Sequence, residues 1–172
     1  CHAFWTGDMY VIAFRGTEPD ELSDVLADLN AIPRGSMTHE WVHSGFRVEC
    51  DKLWNDVAKH ARNHTKKKMY ITGHSLGAAM ATIATSRFEE FRKVEQLTTF
   101  GSPRVGTRKF VKHIETPHMR FVNNNDIVTK VPLWLMGYKH HGKLQYINFY
   151  GNIRKLTTWQ MIKDKWRGWR SG

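Results

Sequence analysis

The sequence predicts an α/β protein in which a largely parallel sheet carries helices on both faces. Strand-like segments alternate with helix-like segments over residues 69–123, which favours right-handed crossovers between parallel strands. A second indication is Gly73-His74-Ser75-Leu76-Gly77, where a predicted strand meets a predicted helix. The third is that Ser75, Gly101 and Asp126 all follow predicted strands. Chemistry in such sheets gathers at the carboxyl ends of the strands.

Hydrophobic period and turn residues predict the elements in chain order. Residues 1–5 and 9–15 flank Thr6-Gly7-Asp8, which predicts a hairpin with a glycine-containing turn. Apolar residues at helical spacing predict a short acidic helix over 20–29 and a longer helix over 53–61. The remaining predicted elements are a strand at 69–72, a small-residue helix to about 88, a strand at 94–100, a helix at 107–114 and a strand at 118–123.

Length and composition are those of one soluble domain spanning residues 1–172, with 41% hydrophobic and 24% charged residues. The longest unbroken apolar run, residues 9–14, is far shorter than the roughly 20 residues of a membrane-spanning helix. No transmembrane segment is therefore predicted. No basic and apolar signal stretch opens the chain, so no signal peptide is predicted and the compartment stays open.

Charge and cysteine content narrow the function classes. Basic residues outnumber acidic ones by 26 to 16, for a net charge of +10. Such a charge is compatible with nucleic acid or an anionic membrane, but a solvated basic surface is favoured and nucleic-acid binding is not predicted. Cys1 and Cys50 are too few for a disulfide scaffold or a four-cysteine zinc site, and a single bridge is left open. No metal or organic cofactor is predicted, and the oligomeric state stays open.

Gly73-His74-Ser75-Leu76-Gly77 is the single Gly-x-Ser-x-Gly pattern of the chain. A serine on a sharp strand-to-helix turn adopts strained backbone, and side chains two positions away would collide, which explains both glycines. An apolar strand precedes the pattern, and alanines follow it in the predicted helix, so that helix is able to pack closely on the sheet. Ser75 is therefore the predicted nucleophile.

A nucleophilic serine also needs oxyanion donors and a base oriented by a carboxylate. The backbone amide of Leu76 and the residue Thr17, which follows the strand at 9–15, are the candidate donors. A helix-capping role for Thr17 is the alternative. Asp126 follows a strand and fits the order serine, aspartate, histidine. The other acidic residues after Ser75 are interpreted as solvated surface charges: Glu89, Glu90, Glu95, Glu115 and Asp164.

Stretches throughout the chain form a recognisable series: VIAFRGT at 11–17, VHSGF at 42–46, TGHSLGA at 72–78, FGSPRVG at 100–106 and NDIV at 125–128. In these stretches the chain resembles the class 3, or fungal-type, lipase family of the α/β-hydrolases. The resemblance implies that fold, with Ser75 as nucleophile, Asp126 as the acid of the triad, and Thr17 with Leu76 as oxyanion donors. It also implies a helical lid at about 19–32 that moves at an oil surface. Val25 stands where the family often has tryptophan, so strong interfacial activation is not implied.

The general base is the open member of the predicted triad. After Asp126 the histidines are His140 and His141, and chain order alone nominates one of them. In the family that the chain resembles, the corresponding Tyr-x-His-x-Gly segment is not catalytic, and the triad histidine lies farther downstream. The resemblance therefore implies a fragment that lacks its base and that begins after the usual first helical region. His43 and His74 are interpreted as structural.

The C-terminal segment at about 156–170 is basic and rich in tryptophan. Trp159, Ile162, Trp166 and Trp169 recur at helical spacing with lysines and arginines between them, which is typical of an interfacial basic amphipathic helix. The favoured alternative is that these side chains pack on the hydrolase core or on sequence beyond Gly172, because aromatic stripes are usually buried.

Together these features predict a serine ester hydrolase of the lipase type, which forms an acyl-enzyme on Ser75 and meets acylglycerol substrates at a lipid-water interface. Two alternatives stay open. One is an esterase of soluble or phenolic esters on the same scaffold, whose activity would fall as acyl chains lengthen. The other is a fragment that binds lipid surfaces with little turnover because the triad histidine is missing.

Overall fold

The structure, a computed structural model, describes residues 1–16, 41–132 and 134–170, with no account of the side chain at 170. Thr17, the predicted helix at 20–29 and the predicted lid at about 19–32 lie outside these residues.

A mostly parallel sheet forms the centre of the molecule. Within the described residues its seven strands are, in spatial order, β1 (His2–Thr6), β2 (Met9–Phe14), β3 (Lys68–His74), β4 (Val94–Phe100), β6 (His118–Asn123), β8 (Lys143–Ile147) and β9 (Ile153–Arg154). Neighbouring strands from β2 to β8 pair in parallel, whereas β1 and β9 pair antiparallel at the two edges. This is the predicted α/β architecture.

Helices and a small second sheet complete the described elements. The helices are α1 (Ser44–Arg62), α2 (Leu76–Glu89), α3 (Arg108–His113) and α4 (Thr158–Arg170), and the short strands β5 (Gly106–Thr107) and β7 (Tyr138–Lys139) pair with each other. No helix among the described residues is both long and apolar enough to cross a membrane.

The predicted strands at 94–100 and 118–123 are confirmed to the residue. The predicted hairpin is confirmed as well, with strands at His2–Thr6 and Met9–Phe14 instead of 1–5 and 9–15. Helix α1 begins at Ser44, earlier than predicted, because Phe46 and Cys50 extend its buried stripe toward the N-terminus. Strand β8 was not predicted. Of its residues only Tyr146 is fully buried, so the segment lacks the alternation of apolar and polar residues that predicts a strand.

The buried residues of the main apolar core come from the part of the sequence between Tyr10 and Ile114. Helix α2 packs on the sheet through small residues, and Ala78, Ala79 and Ala81 are completely buried. Because alanine side chains are short, the helix axis approaches the sheet closely and the turn before α2 is held rigidly. Cys1 is exposed, Cys50 is buried, and the two do not form a disulfide, so the bridge left open by the sequence is absent.

Polar contacts link α4 to the rest of the molecule. The side-chain amides of Asn124 and Asn125 donate to the carbonyl oxygens of Asp164 and Lys165, at 3.5 and 3.1 Å. The Asp164 carboxylate accepts hydrogen bonds from the Tyr146 hydroxyl and from a backbone N–H, each at 3.0 Å. Asp164 is only 8% exposed. Its interpretation as a solvated surface charge is therefore wrong, because it is the anchor of this helix.

Candidate active site

Ser75 lies between β3 and α2 in a backbone conformation that L-residues rarely adopt. Its φ is 53° and its ψ is −125°, and among the described residues no other non-glycine residue has positive φ. Such strain costs about 1–3 kcal/mol and persists only where the surrounding structure enforces it. The Ser75 N–H donates to the Phe100 carbonyl oxygen at 3.0 Å. This is the geometry of a nucleophile elbow.

Three glycines allow the backbone to pass close to this turn. A Cβ atom on Gly73 would lie 2.3 Å from the Gly77 carbonyl oxygen, and one on Gly77 would lie 2.2 Å from that of Phe14. A Cβ on Gly16 would lie 2.5 Å from the His74 carbonyl oxygen. Since these neighbours are backbone atoms, any side chain at the three positions would displace the elbow itself. The requirement for glycine on both sides of Ser75 thus has a direct structural cause.

Strand register brings Ser75 and the loop of Asp126 to one edge of the sheet. His74 pairs with Phe100, and Phe100 pairs with Phe121, so β3, β4 and β6 end close together. Asp126 follows β6 within a few residues. The two predicted triad members therefore share the carboxyl edge of the sheet.

The Asp126 carboxylate is fixed beside the end of β4. Its Oδ1 accepts a hydrogen bond from the Val128 N–H at 2.9 Å. A Cβ on Gly101, where φ is 58°, would lie 2.8 Å from Asp126 Oδ2 and 3.6 Å from His74 Nε2. Because Gly101 has no side chain, the carboxylate is able to reach the strand end next to the elbow.

The start of α2 supplies free backbone donors next to Ser75. The Ser75 carbonyl oxygen accepts hydrogen bonds from the N–H groups of Ala78 and Ala79, at 2.9 and 3.3 Å. The earlier N–H groups, of which Leu76 is the first, precede the helical hydrogen-bond ladder and carry the positive end of the helix dipole. The Leu76 amide is therefore able to stabilise negative charge beside Ser75.

Neither candidate histidine is hydrogen-bonded to the serine. Ser75 Oγ is buried and has no hydrogen-bond partner among the described residues. His140 Nε2 donates to the Thr129 carbonyl oxygen at 2.9 Å, and His141 Nδ1 shares a 3.0 Å hydrogen bond with His118 Nδ1. The structure brings Ser75 and Asp126 to one sheet edge but commits the rings of His140 and His141 to other partners.

His118 and Arg120, both buried, line one cavity with the half-buried His140 and His141, a basic cluster that the sequence did not predict. Burial, aided by nearby positive groups, lowers the pKa of His118 and of His140 to about 3. Burial, aided by Arg104, lowers the pKa of Arg120 to about 10. The burial of His118 and Arg120 was predictable from the sequence. Residues 118, 120 and 122 lie on one face of β6 because side chains alternate along a strand, and Val122 is buried.

His43 and His74 differ in environment. His43 is buried at the start of α1, its ring contacts those of Phe46 and Tyr138, and burial lowers its pKa. This agrees with a structural role. His74 is exposed, so it is not packed beside the elbow as a structural role would require. Among the described residues no group of three or more His, Cys, Asp and Glu side chains is arranged to hold a metal ion.

A serine on a strained turn at the carboxyl edge of a parallel sheet, followed by a closely packed helix, defines an α/β-hydrolase. The family described as Lipase (class 3) matches residues 11–136. The chain belongs to the class 3 lipase family.

The chain is similar to proteins that are named as lipases. A secreted mono- and diacylglycerol lipase A of Penicillium cyclopium is 28% identical over 162 residues, which covers 89% of this chain and 52% of that protein. A chloroplastic phospholipase A(1) of Arabidopsis thaliana is 34% identical over 148 residues, 71% of this chain and 33% of that protein. A Vibrio cholerae protein named Toxin TseL is 36% identical over 117 residues, 64% of this chain and 18% of its own length.

Solved lipase structures share the fold. The Penicillium cyclopium enzyme MDLA, in a mutant form, superposes with a TM-score of 0.73 and 28% identity, covering 89% of this chain and 59% of that one. The Rhizomucor miehei triacylglyceride lipase gives a TM-score of 0.72 with 27% identity and covers 81% of this chain and 57% of that one. The chain thus spans just under three fifths of these two structures and at most about half the length of the three relatives above.

Proposed function

We propose that this protein is a serine ester hydrolase of the lipase type that cleaves carboxylic esters of acylglycerols. The observation that carries the proposal is Ser75, held at φ 53° between β3 and the first free amides of α2. A serine on such a turn lies beside free backbone amides that are able to stabilise the oxyanion of an ester under attack. The lipase names of the relatives support the choice of lipid esters.

The proposed reaction proceeds through an acyl-enzyme. Ser75 Oγ attacks the ester carbonyl carbon as a histidine takes its proton, and the Leu76 amide with Thr17 stabilises the oxyanion. The histidine then gives the proton to the leaving alcohol, and the C–O bond to that alcohol breaks. Water, activated by the same histidine, hydrolyses the acyl-enzyme and releases the fatty acid. Asp126 orients the imidazole and stabilises its positive form.

We further propose that neither His140 nor His141 is the base. Both rings are committed to partners other than Ser75, and burial lowers the pKa of each ring. Either ring would have to break its contact to reach Ser75 Oγ. The proposed base is therefore a histidine other than these two.

A fluorophosphonate probe tests the nucleophile and the base together. Ser75 should label, Ser75→Ala should not, and the labelling rate of His140→Asn and of His141→Asn should stay within about threefold of the parent. Loss of labelling in one histidine variant that remains folded by circular dichroism would assign that residue as the base. Labelling that persists in Ser75→Ala would overturn the proposed nucleophile.

Chain-length dependence separates the lipase from the soluble-ester alternative. Turnover of p-nitrophenyl esters should be compared from acetate to palmitate, the long chains as emulsions, with Ser75→Ala as the blank. A lipase keeps or gains activity with the longer emulsified chains, whereas an esterase loses it. Binding to lipid with no turnover of either class would instead support the fragment alternative.

A further inference from the structure

Helix α4 turns a polar side chain inward and its large apolar side chains outward, the reverse of an ordinary surface helix. Its buried face carries Asp164, the sole acidic residue of the helix, together with the half-buried Gly168. A Cβ on Gly168 would lie 2.6 Å from Asn124 Nδ2, which shows how closely this face meets the protein. A helix normally turns its apolar stripe inward. In α4 the apolar stripe points outward.

The outward stripe consists of large side chains spaced three and four residues apart, and such positions share one helix face. Their exposed fractions are 71% for Trp159, 51% for Ile162, 60% for Trp166 and 76% for Trp169. Within the described residues these side chains do not pack on the hydrolase core, and their packing on sequence beyond Gly172 stays a prediction. A row of exposed tryptophans across several helical turns marks an interaction surface.

The charged side chains around the tryptophan stripe indicate what kind of surface it binds. Lys163 and Arg167 line the same groove as Trp159, Ile162 and Trp166. From residue 127 to the C-terminus the sequence has nine basic residues and one acidic residue, Asp164, which is buried. Tryptophan prefers the boundary between water and acyl chains, and lysine and arginine beside it attract anionic headgroups.

The position of α4 relates this surface to the site. Asn124 and Asn125, which hold the helix, lie between the end of β6 and Asp126. The helix therefore packs against the carboxyl edge of the sheet, where Ser75 also lies. A lipid surface in contact with α4 would lie on the side of the molecule that carries the candidate active site.

We propose that α4 is a docking helix for anionic phospholipid surfaces, with its tryptophan stripe inserted at the interface and its basic side chains on the headgroups. Such docking rests on the function proposed above, because the docked surface would hold the ester substrate, but the binding itself does not depend on turnover. It is therefore measured in the Ser75→Ala chain, so that a failure of hydrolysis and a failure of docking give separate results.

The first measurement is flotation of Ser75→Ala with vesicles of phosphatidylcholine alone and of equal parts phosphatidylcholine and phosphatidylserine. Binding to the anionic vesicles should be at least about tenfold stronger, and rising salt should weaken it. Equal partitioning into the two kinds of vesicle would overturn the proposal.

Variants then locate the surface. Lys163→Glu with Arg167→Glu should weaken binding about 30-fold or more, since each basic residue near an anionic surface contributes about 1 kcal/mol. The matched control is Lys59→Glu with Lys66→Glu, two exposed lysines near the end of α1, which should change binding less than about threefold. Equal losses in the two pairs would overturn the assignment to α4.

Trp159→Ala with Trp169→Ala should weaken binding at least about tenfold, whereas Trp5→Ala, at the far edge of the sheet on β1, should leave it unchanged. Circular dichroism should show the parent fold in each variant. If the protein alone forms a dimer that the two tryptophan substitutions disrupt, and vesicle binding is unaffected by them, a second copy covers the stripe and the lipid proposal is wrong.

Discussion

The part of the sheet around Ser75 and the part that follows Asp126 are stabilised by different interactions. Apolar side chains from β2, β3, β4, α1 and α2 form one continuous core that ends at Ile114. Beyond that point the buried side chains include His118, Arg120, Asn124 and Asp164, which are polar or charged. The nucleophile therefore depends on close packing, whereas the acid and the helix beside it depend on hydrogen bonds and on the neutrality of buried histidines.

This difference matters because packing and polar networks fail under different conditions. A close-packed apolar region responds to changes of volume and hardly to pH. A buried polar network responds to protonation and to the loss of single partners, since each unpaired buried group costs free energy. Four experiments test the contrast.

Acidification should give the largest effect and should act through His118 and His140. Their folded-state pKa of about 3 lies below the ordinary value of 6.5, so the unfolded chain binds more protons below about pH 6.5. The free energy of unfolding should thus fall as pH falls, by roughly 2 kcal/mol per histidine between pH 7.5 and pH 5. Urea unfolding at the two pH values measures the change.

The charged and titratable groups that face these two rings are Arg104, Arg120 and His141, with Glu89 acting on His141. The His118→Asn variant should lose about half of the pH dependence. Hydrogen exchange at pH 5 should show earlier opening of β6 and β8 than of β3. A uniform loss of protection in both regions would contradict the contrast.

Gly77→Ala should destabilise the elbow by about 3 kcal/mol, at the upper end of overpacking effects. Its Cβ would lie 2.2 Å from the Phe14 carbonyl oxygen and 2.6 Å from the Arg15 carbonyl carbon. The control is Gly151→Ala, at φ 76° with open space around it, where only the backbone penalty of about 1 kcal/mol applies. Thermal and urea unfolding should separate the two variants, and equal costs would show that packing at the elbow is loose.

Asp164→Ala should cost about 2 kcal/mol, because it leaves the Phe149 N–H without its acceptor and removes one partner of the Tyr146 hydroxyl. The control is Asp51→Ala, on helix α1, which belongs to the region with the continuous apolar core. Asp51 forms a 2.5 Å ion pair with Arg87 but is half exposed, so the expected cost is about 0.5 kcal/mol. Urea midpoints give both values. Similar costs would mean that the Asp164 network adds nothing beyond a surface pair.

Arg120→Met should have the smallest effect and the opposite sign. Arg120 is buried, and in the part of the chain that the structure describes its Nε has no hydrogen-bond partner. Replacing a poorly compensated buried charge with an apolar side chain of similar length is neutral to about 1 kcal/mol stabilising. The same variant should also reduce the loss of stability below pH 6.5, because Arg120 lowers the pKa of both buried histidines. Destabilisation beyond about 1 kcal/mol would indicate that Arg120 is paired.

Much of the packed half could be predicted from the sequence. The strands at 94–100 and 118–123, the helix after Ser75 and the hairpin at Gly7 follow from local period and turn chemistry. The elbow was predictable for the same reason, since its glycines, serine and alanines are contiguous in the chain. Ser75 as nucleophile and Asp126 as its acid stay predictions that the geometry supports.

The polar half was less predictable because its determinants are far apart in sequence. Asp164 looked like a surface charge because its partners, Tyr146 and Asn124, lie 18 and 40 residues away. The tryptophans of α4 looked buried because aromatic stripes usually are, and only the docking of the opposite face shows them to be exposed.

The sequence by itself determined the α/β class, the nucleophile turn and the family, because each depends on residues that interact within a short stretch of chain. The tertiary structure decided which charges are buried, which face of α4 meets solvent and which partners occupy His140 and His141. Those outcomes depend on how separate elements pack, and burial then sets the cost of every charge and hydrogen bond.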